Sequence, residues 1–567
     1  MREKIWEYKN KGLKKEEIMT LSEACKIPPA LAVILMNRGI ATEKAVAAYM
    51  KKSLENVHNP LTLDDMELAC ERIQQAILQK EKIVIYGDYD VDGITATSIV
   101  YKFLKSVGAD VSYYIPDRFS EGYGINVMAV NKLARCGVTL MITVDCGIAS
   151  IGEIEFAKTQ GMDVIVTDHH TCREELPKAV AVINPKRADS AYAFSGLAGA
   201  GVAFKLVLAM AIKLGMSTKE VFAEYVELAA IGTIADVVPL VDENRVIAEK
   251  GIKSLSNTKN KGIKALLASV IGDGKEIDST AVAFFLAPRL NAAGRMDNAG
   301  IAVELLISEN DDDAEKICAE LDALNSKRKQ EEQIVHKEAA ALLEKEGEKL
   351  VYVLSGDGWN HGVVGIVASK ICEQLYRPCI LISFDGDKGK GSGRSVPEMN
   401  LFDALLDSEE LLSAFGGHAQ AAGLSVNRTE LEAFKQKINA YAKENINEEE
   451  LVPKLKIDCN LDGASVTMAS ARMIETLAPF GEGNEQPVFS MTNLKVIASG
   501  TMGADGRHLR MRVSDGRNVF SAVGFGMGEY LSLVQEGNMI SIAFTMNINT
   551  YQGTESLQLI LKDIKKI

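Results

Sequence analysis

Between residues 82 and 185, nearly continuous apolar runs alternate with helical stretches. The runs are "KIVIYGD", "DVSYYIPD", "TLMITVDCG", "MDVIVTD" and "VAVINP", and among them lie "GITATSIVYKFLKSVG", "VNKLARCG" and "IGEIEFAKTQG". The runs lack the apolar–polar alternation of a strand with one wet face, so both faces of each strand are covered. Strands of that kind alternating with helices restrict the chain to an α/β fold built on a parallel sheet. The rest of the molecule has to be arranged around that sheet.

A chain of 567 residues is too long for one core. Residues 1–55 read as a polar, helical N-terminal extension, with capping signals at "TLSEA" and "ATEKAV". The parallel-sheet domain is expected over 56–300, becoming more helical from about 197. A long charged helix poor in Gly and Pro, expected over 301–345, reads as a connector to a second α/β domain at 346–450. Residues 451–567 change to short strands with Gly, Asn and Asp turns, which predicts a small antiparallel barrel of OB type.

Net charge is −14, which argues against a general nucleic-acid coat but permits a local basic groove. No apolar run approaches the ~20 residues of a membrane span. The N-terminus has no signal-peptide core, and the nine cysteines contain no C-x-x-C pair. The expectation is a cytoplasmic protein with reduced thiols.

Ligand sites of parallel sheets form at the carboxyl ends of the strands, and acids stand there repeatedly. "IVIYGDYDVDG" carries Asp88, Asp90 and Asp92; "LMITVDCG" carries Asp145; "DVIVTDHH" carries Asp168, His169 and His170; "IADVVP" supplies Asp236 from a helix end or loop. One such acid is ordinarily an N-cap or turn residue. So many together would repel one another unless cations held them. Carboxylates with imidazole suit Mg²⁺, Mn²⁺ or Zn²⁺, and paired ions are the usual arrangement for phosphoester chemistry. In extended chain Asp90 and Asp92 would face one ion together, with Gly93 relaxing the turn into a helix whose positive end faces the site. An EF-hand is a weak alternative: "DYDVDG" mimics its first half, but loop position twelve from Asp88 is Ile99 rather than Glu.

In this order, "DYDVDG", "VDCG", "VTDHH" and "GTIADVVPL" resemble the four motifs of the DHH phosphoesterase superfamily, and "GHAQAAG" resembles the G-G-H motif of its DHH-associated domain. "APRLNAAGRMDNA", "GWNHGVVGIVASKI" and "GSGRS" resemble its branch of bacterial exonucleases specific for single strands. The resemblance covers roughly 50–567. It implies that Asp90, Asp92, Asp145, His169 and Asp236 are metal ligands. It places His170 beside them, as an orienting or phosphate-contacting group, and Asp88 as a ligand or a supporting acid. Asp145 is the expected bridge between two Mn²⁺ or Mg²⁺ ions. Asp168 remains open, with orientation of a histidine as one role. Some members have a His four residues before the Asp90 position; Tyr86 stands there instead.

For substrate, Arg394 in "SGRS" suits a bidentate phosphate grip. Gly416, Gly417 and His418 offer close backbone approach and a donor. Arg289, Asn291 and Arg295 are expected phosphate contacts, against a structural ion pair as the alternative for each arginine. His361 is as well explained by helix entry as by catalysis. In "RHLRMRVSDGR" alternation places Arg510 and Arg512 on one strand face; with Phe520 and Phe525 they would track a single strand. The activity implied is 5′ to 3′ hydrolysis of single-stranded DNA to mononucleotides, in DNA repair and recombination, by a monomer that works beside a helicase and a single-strand-binding protein. Polarity is not readable from the residues. The rivals are a phosphoesterase of small nucleotides, whose known members are shorter and lack the barrel, and a non-catalytic scaffold, which would have lost ligands that are intact here.

Overall fold

The structure is a computed structural model that describes residues 4–118, 120–271, 277–503, 505–551 and 553–567. It forms two compact units: Met1–Val57 with Pro239–Val246 and Val452–Ile567, and His58–Val238 with Ile247–Leu451.

The chain starts with a strand, β1 (Ile5–Tyr8), paired in parallel with Lys454–Ile457, where the sequence had suggested helix. Helices α1 (Lys15–Cys25), α2 (Pro29–Asn37) and α3 (Glu43–Lys51) follow. "TLSEA" lies inside α1, so it caps nothing, whereas Thr42 does cap α3 by accepting from Ala45 N. These helices are not a free-standing extension. Leu21, Leu31, Ile34, Leu35 and Val46 share one apolar core with Phe489, Leu494, Val513 and Phe544.

In the second unit, α4 (Met66–Gln79) leads into β2 (Lys82–Tyr86), α5 (Val91–Ser106), β3 (Asp110–Tyr114), α6 (Val127–Arg135), β4 (Val138–Val144), α7 (Ile151–Thr159), β5 (Asp163–Thr167) and β6 (Ala181–Ile183). The sheet order is β3-β2-β4-β5-β6, all parallel. The chain leaves β2 to one side and returns to the other, so β2 and β4 flank the switch point where such sheets open a crevice.

Helices α8 (Gly199–Lys213), α9 (Thr218–Ala235), α10 (Asp242–Leu255), α11 (Lys261–Val270) and the short α12 (Ser279–Ala281) come next. A π-helical turn, Val282–Leu286, then runs directly into α13 (Ala287–Met296), followed by α14 (Gly300–Ile307). The long connector is α15 (Asp311–Glu346). It buries a stripe through Ala314, Cys318, Leu321, Asn325, Arg328, Glu332, Val335 and Ala339, a spacing of alternating threes and fours. The polar members of the stripe satisfy one another: Arg328 donates to Glu332 at 2.8 Å and to Asn325 Oδ1 at 3.0 and 3.2 Å.

Beyond it are β7 (Tyr352–Asp357), α16 (His361–Leu375), β8 (Cys379–Asp385), β9 (Lys388–Arg394), α17 (Leu401–Asp407), β10 (Leu412–Gly417), β11 (Ala421–Asn427) and α18 (Leu431–Asn445). They form a sheet ordered β10-β11-β9-β8-β7 in which only β7–β8 is parallel.

The chain then re-enters the first unit with β12 (Lys454–Ile457), β13 (Cys459–Asn460), α19 (Met468–Glu475), β14 (Phe489–Met502), β15 (His508–Ser514), β16 (Val519–Gly524), β17 (Met539–Tyr551) and β18 (Thr554–Lys566). The order β14-β15-β16-β18-β17, with β14 pairing β17, closes a five-stranded barrel. One pair, β16–β18, is parallel, so the barrel is not purely antiparallel as expected. Among the described residues no single helix is long and apolar enough to cross a membrane.

Candidate active site

The acids meet at the β2/β4 switch point. Asp145 follows β4 directly and takes φ +60°, a conformation in which an L-residue is strained and Asp or Asn is best tolerated. Its N–H bonds to Thr167 O at 3.0 Å, tying the turn to the neighbouring strand. Asp90 is the N-cap of α5, accepting from Asp92 N at 3.0 Å and Gly93 N at 3.2 Å. Asp92 lies within the first turn of the helix rather than in extended chain. Its carboxylate is clamped by Gly199 N at 2.6 Å and Ala200 N at 2.8 Å, the opening amides of α8.

The expected reason for the D-x-D pattern therefore fails. Ligand atoms of Asp88, Asp90 and Asp145 gather in one group, while those of Asp92, His169 and Asp236 gather in another. A third set joins Asp145 to His169 and His170. Asp90 and Asp92 are divided between sets because the helix begins between them, and Asp145 belongs to the first set and the third. Gly93 also has a different purpose from turn flexibility: a Cβ there would lie 2.6 Å from Asp88 O. Gly199 and Gly232 are needed for the same reason, since a Cβ would come within 2.5 Å of Asp145 Oδ1 and 2.8 Å of Asp92 Oδ1 respectively. Nothing in the local sequence of either glycine signalled this.

His169 Nε2 stands 3.1 Å from Asp145 Oδ1, 3.6 Å from Asp236 Oδ2 and 3.7 Å from Asp92 Oδ2. Neither His169 Nε2 nor the buried Oδ1 atoms of Asp88 and Asp145 makes a hydrogen bond. Burial, then the neighbouring carboxylates, pushes Asp88, Asp92 and Asp145 well above the usual carboxylate range. Asp236, at the C-cap of α9, rises to about 7 through burial and Asp90. Burial, with His170 adding to it, drops His169 to about 3, so the imidazole is neutral.

Asp168 is fully engaged: Oδ1 accepts from His169 N, His170 N and the His170 ring, and Oδ2 from Ile148 N. Burial disfavours its charge, yet these bonds leave it below the usual carboxylate range. It orients the histidine pair and belongs to none of the ligand groups. His170 would be lowered by burial, but its 2.8 Å bond to Asp168 raises it. Tyr123, which the sequence reading passed over, sits 3.1 Å from His170 Nδ1. Tyr86 turns away: fully buried, it donates to Gly124 O at 3.2 Å and packs against Tyr114.

Cations line the same crevice. Arg295, on α13, donates to Gly362 O at 3.0 Å. Burial, with Arg118, Arg328 and Arg394 nearby, lowers it to about 10. Arg394 closes β9 and is lowered by burial and by Arg118. Among the described residues Arg118, Arg295 and Arg394 have no ion pair, and Asp90 is the acid that acts on Arg295. Arg118, which stacks on Tyr89, was not singled out in the sequence because no motif frames it. Lys186, near His169 and Asp236, was missed likewise.

Other expected contacts are placed differently. Arg289 pairs with Asp322 of α15 at 2.5 Å and with Phe285 O, the structural alternative for that arginine. Asn291 Oδ1 accepts from Val91 N at 3.2 Å, so it touches the start of α5. His361 opens α16, next to the Asn360 cap. Gly417, at φ +144°, is required by its own hairpin, where a Cβ would meet Ala421 O at 2.4 Å; Gly416 faces open space, and His418 is exposed. Arg510 and Arg512 share the exposed face of β15 as alternation demanded. Phe520 is buried in the barrel and cannot stack on a base, whereas Phe525 is exposed and edge-on to His508. All nine cysteines are free.

A parallel sheet with acids, a His pair and unpaired arginines at its switch point defines a DHH-type core. Residues 82–233 match the DHH family, N-terminal domain, and 346–444 match the DHHA1 domain. Residues 457–563 match the RecJ OB domain. The chain is 40% identical to the single-stranded-DNA-specific exonuclease RecJ of Bacillus subtilis, over 97% of this chain and 69% of that protein. It is 34% identical to the Escherichia coli protein of that name, over 95% and 96%. The crystal structure of Thermus thermophilus RecJ with Mn²⁺ superposes with a TM-score of 0.85 at 28% identity, covering all of this chain and 80% of that one. The Mg²⁺ complex of the same protein gives 0.78 at 27% identity, covering all of this chain and 78% of that one. The chain belongs to the RecJ family.

Proposed function

We propose that this chain is a metal-dependent exonuclease that hydrolyses single-stranded DNA from the 5′ end and releases mononucleotides. The observation that carries the metal requirement is the set of buried, unbonded ligand atoms: Asp88 Oδ1, Asp145 Oδ1 and His169 Nε2. Buried acids of raised pKa around a neutral imidazole fit hard divalent cations such as Mn²⁺ or Mg²⁺. Asp88, Asp90 and Asp145 would hold one ion, and Asp92, His169 and Asp236 the other. Asp145 also stands 3.1 Å from His169 of the second set, which makes it the carboxylate placed to serve both. Bound there, such ions supply Lewis acidity and an activated water for phosphodiester cleavage.

The protein's own groups do the rest. Asp168 holds His170 in a fixed orientation, and the raised pKa favours a protonated ring that donates to a phosphate oxygen. Arg118, Arg295 and Arg394, lacking carboxylate partners, grip the phosphates next to the scissile bond. Arg510 and Arg512 hold the single strand by charge. The division of labour is then catalysis in 56–300 with part of the phosphate grip, connection through 301–345, the rest of the substrate grip in 346–450 and strand tracking in 451–567, with the role of 1–55 structural. The enzyme works as a monomer in the cytoplasm, in repair and recombination, on strands exposed by a helicase and covered by a single-strand-binding protein.

Digestion of 5′- and 3′-labelled DNA and RNA with Mn²⁺ or Mg²⁺ tests this. The expected result is 5′-terminal mononucleotide release from single-stranded DNA, blocked by a 5′ duplex. Release from the 3′ end, or cleavage of dinucleotides alone, would overturn it.

A further inference from the structure

The π-helical turn before α13 presents two phenylalanines to solvent. Phe284 is 71% exposed and Phe285 49%, while Val282 and Leu286 on either side are buried. Among the described residues the only other exposed phenylalanine is Phe525. A single apolar side chain on a surface is ordinary, but two adjacent rings on a π turn are not, and π turns concentrate at functional sites.

The position of the turn gives the rings a purpose. The π turn is continuous with α13, the helix that delivers Asn291 to the start of α5 and Arg295 to the arginine cluster. Pro288, Asn291 and Arg295 recur at intervals of three and four along α13, the spacing of one helical stripe, and Phe284 stands in the π turn that leads into it. Each keeps some solvent exposure, while Leu286, Ala287, Leu290, Ala293 and Gly294 are buried. The open stripe of α13, extended through the π turn, thus runs from the arginine cluster to Phe284, about 16 Å at the helical rise. A phosphate seated among the arginines would send the following nucleotides along that stripe toward the ring.

We propose that Phe284 is a base-stacking platform for the single strand, a few nucleotides from the acid cluster, with Phe285 as its flank. This rests on the nuclease reading above. Stacking on a ring face needs no particular base, so the platform raises affinity without sequence preference.

The full chain, freed of metal with EDTA, is mixed with single strands carrying one 2-aminopurine at successive positions. One position a few nucleotides from the 5′ end should show quenching that disappears in Phe284→Ala and returns in Phe284→Trp. With metal restored, Phe284→Ala should raise KM for a long strand about tenfold more than for a dinucleotide. An unaltered quenching pattern in Phe284→Ala overturns the platform, and so does an equal KM change on both substrates. Full function in Phe284→Leu would also overturn it, pointing to an apolar contact with a protein partner or a second copy. An unchanged melting temperature separates these effects from misfolding. A wild-type chain that leaves single strands intact would instead refute the nuclease reading, while the quenching experiment still tests the platform.

Discussion

The acid cluster at the β2/β4 edge and the arginine face of β15 are both concentrations of like charge, but they stand in opposite environments. Asp88, Asp92 and Asp145 are almost wholly buried, and two of them carry an unbonded oxygen. Arg510 and Arg512 project from an exposed face with water as an adequate partner. Burying an unpaired charge costs far more than exposing one, so the first arrangement demands a counter-ion and the second merely permits one. Arg295 is the intermediate case, half-buried without a carboxylate partner and therefore prepared for an anion. The lesson is that burial, more than charge density, identifies where chemistry is obligatory.

The largest effect should come from breaking the buried side. Asp145→Asn preserves the left-handed turn, since Asn tolerates φ +60°, but removes the shared carboxylate. Exonuclease activity should fall on the order of a thousandfold or more, with Mn²⁺ stoichiometry by calorimetry falling from two. Retained activity with two bound ions would refute the bridging role. Asp168→Asn should cost about 10–100-fold in kcat, as for groups that orient ligands, with Mn²⁺ still bound. An equal loss from Asp168→Asn and Asp145→Asn would move Asp168 into the ligand set.

The third effect is on stability. In metal-free protein Asp88, Asp92, Asp145 and Asp236 have folded pKa values raised above the unfolded carboxylate range, and His170 is raised as well. Their stabilising contribution is present at low pH and is lost as pH rises through the folded values, about 7 for Asp236. His169, lowered to about 3, works in the opposite sense only below its unfolded value near 6.5. Between pH 6.5 and 8.5, Tm in EDTA should therefore fall, and the rise in Tm on adding Mn²⁺ should grow. A flat Tm in EDTA over that window would show that the acids are not under mutual strain.

The smallest effect belongs to the exposed side. Arg510→Ala with Arg512→Ala should weaken binding to long strands severalfold and reduce the slope of log affinity against log salt by roughly 1.4, with dinucleotide cleavage little altered. A loss comparable to that of Asp145→Asn would erase the distinction between the two regions.

Much of this was legible in the chain order. Apolar runs ending in Asp, Asp-Cys-Gly and Asp-His-His placed the acids at strand ends, because a parallel sheet has all its carboxyl termini on one edge. Strand alternation alone put Arg510 and Arg512 on one face. Local rules failed where a long-range contact competed. "TLSEA" has the composition of a cap but lies inside α1, and residues 5–8 form a strand because Lys454–Ile457 offers them a partner. Phe520 looked available for stacking until the barrel closed around it.

The sheet class, the acids that reach its edge and the alternating faces of the barrel strands are all written in the order of neighbouring residues, since each follows from the periodicity of adjacent side chains. How the acids divide into ligand sets was settled by packing. Packing also set Gly199 and Ala200 to clamp Asp92 and brought Arg118 to Arg295 and Arg394, and it chose for Asp168 the histidine-orienting role among those the sequence left open. Apart from Asp168 and its neighbouring histidines, those pairings link residues more than a hundred positions apart. Such proximity is produced by packing, and no local period in the chain encodes it.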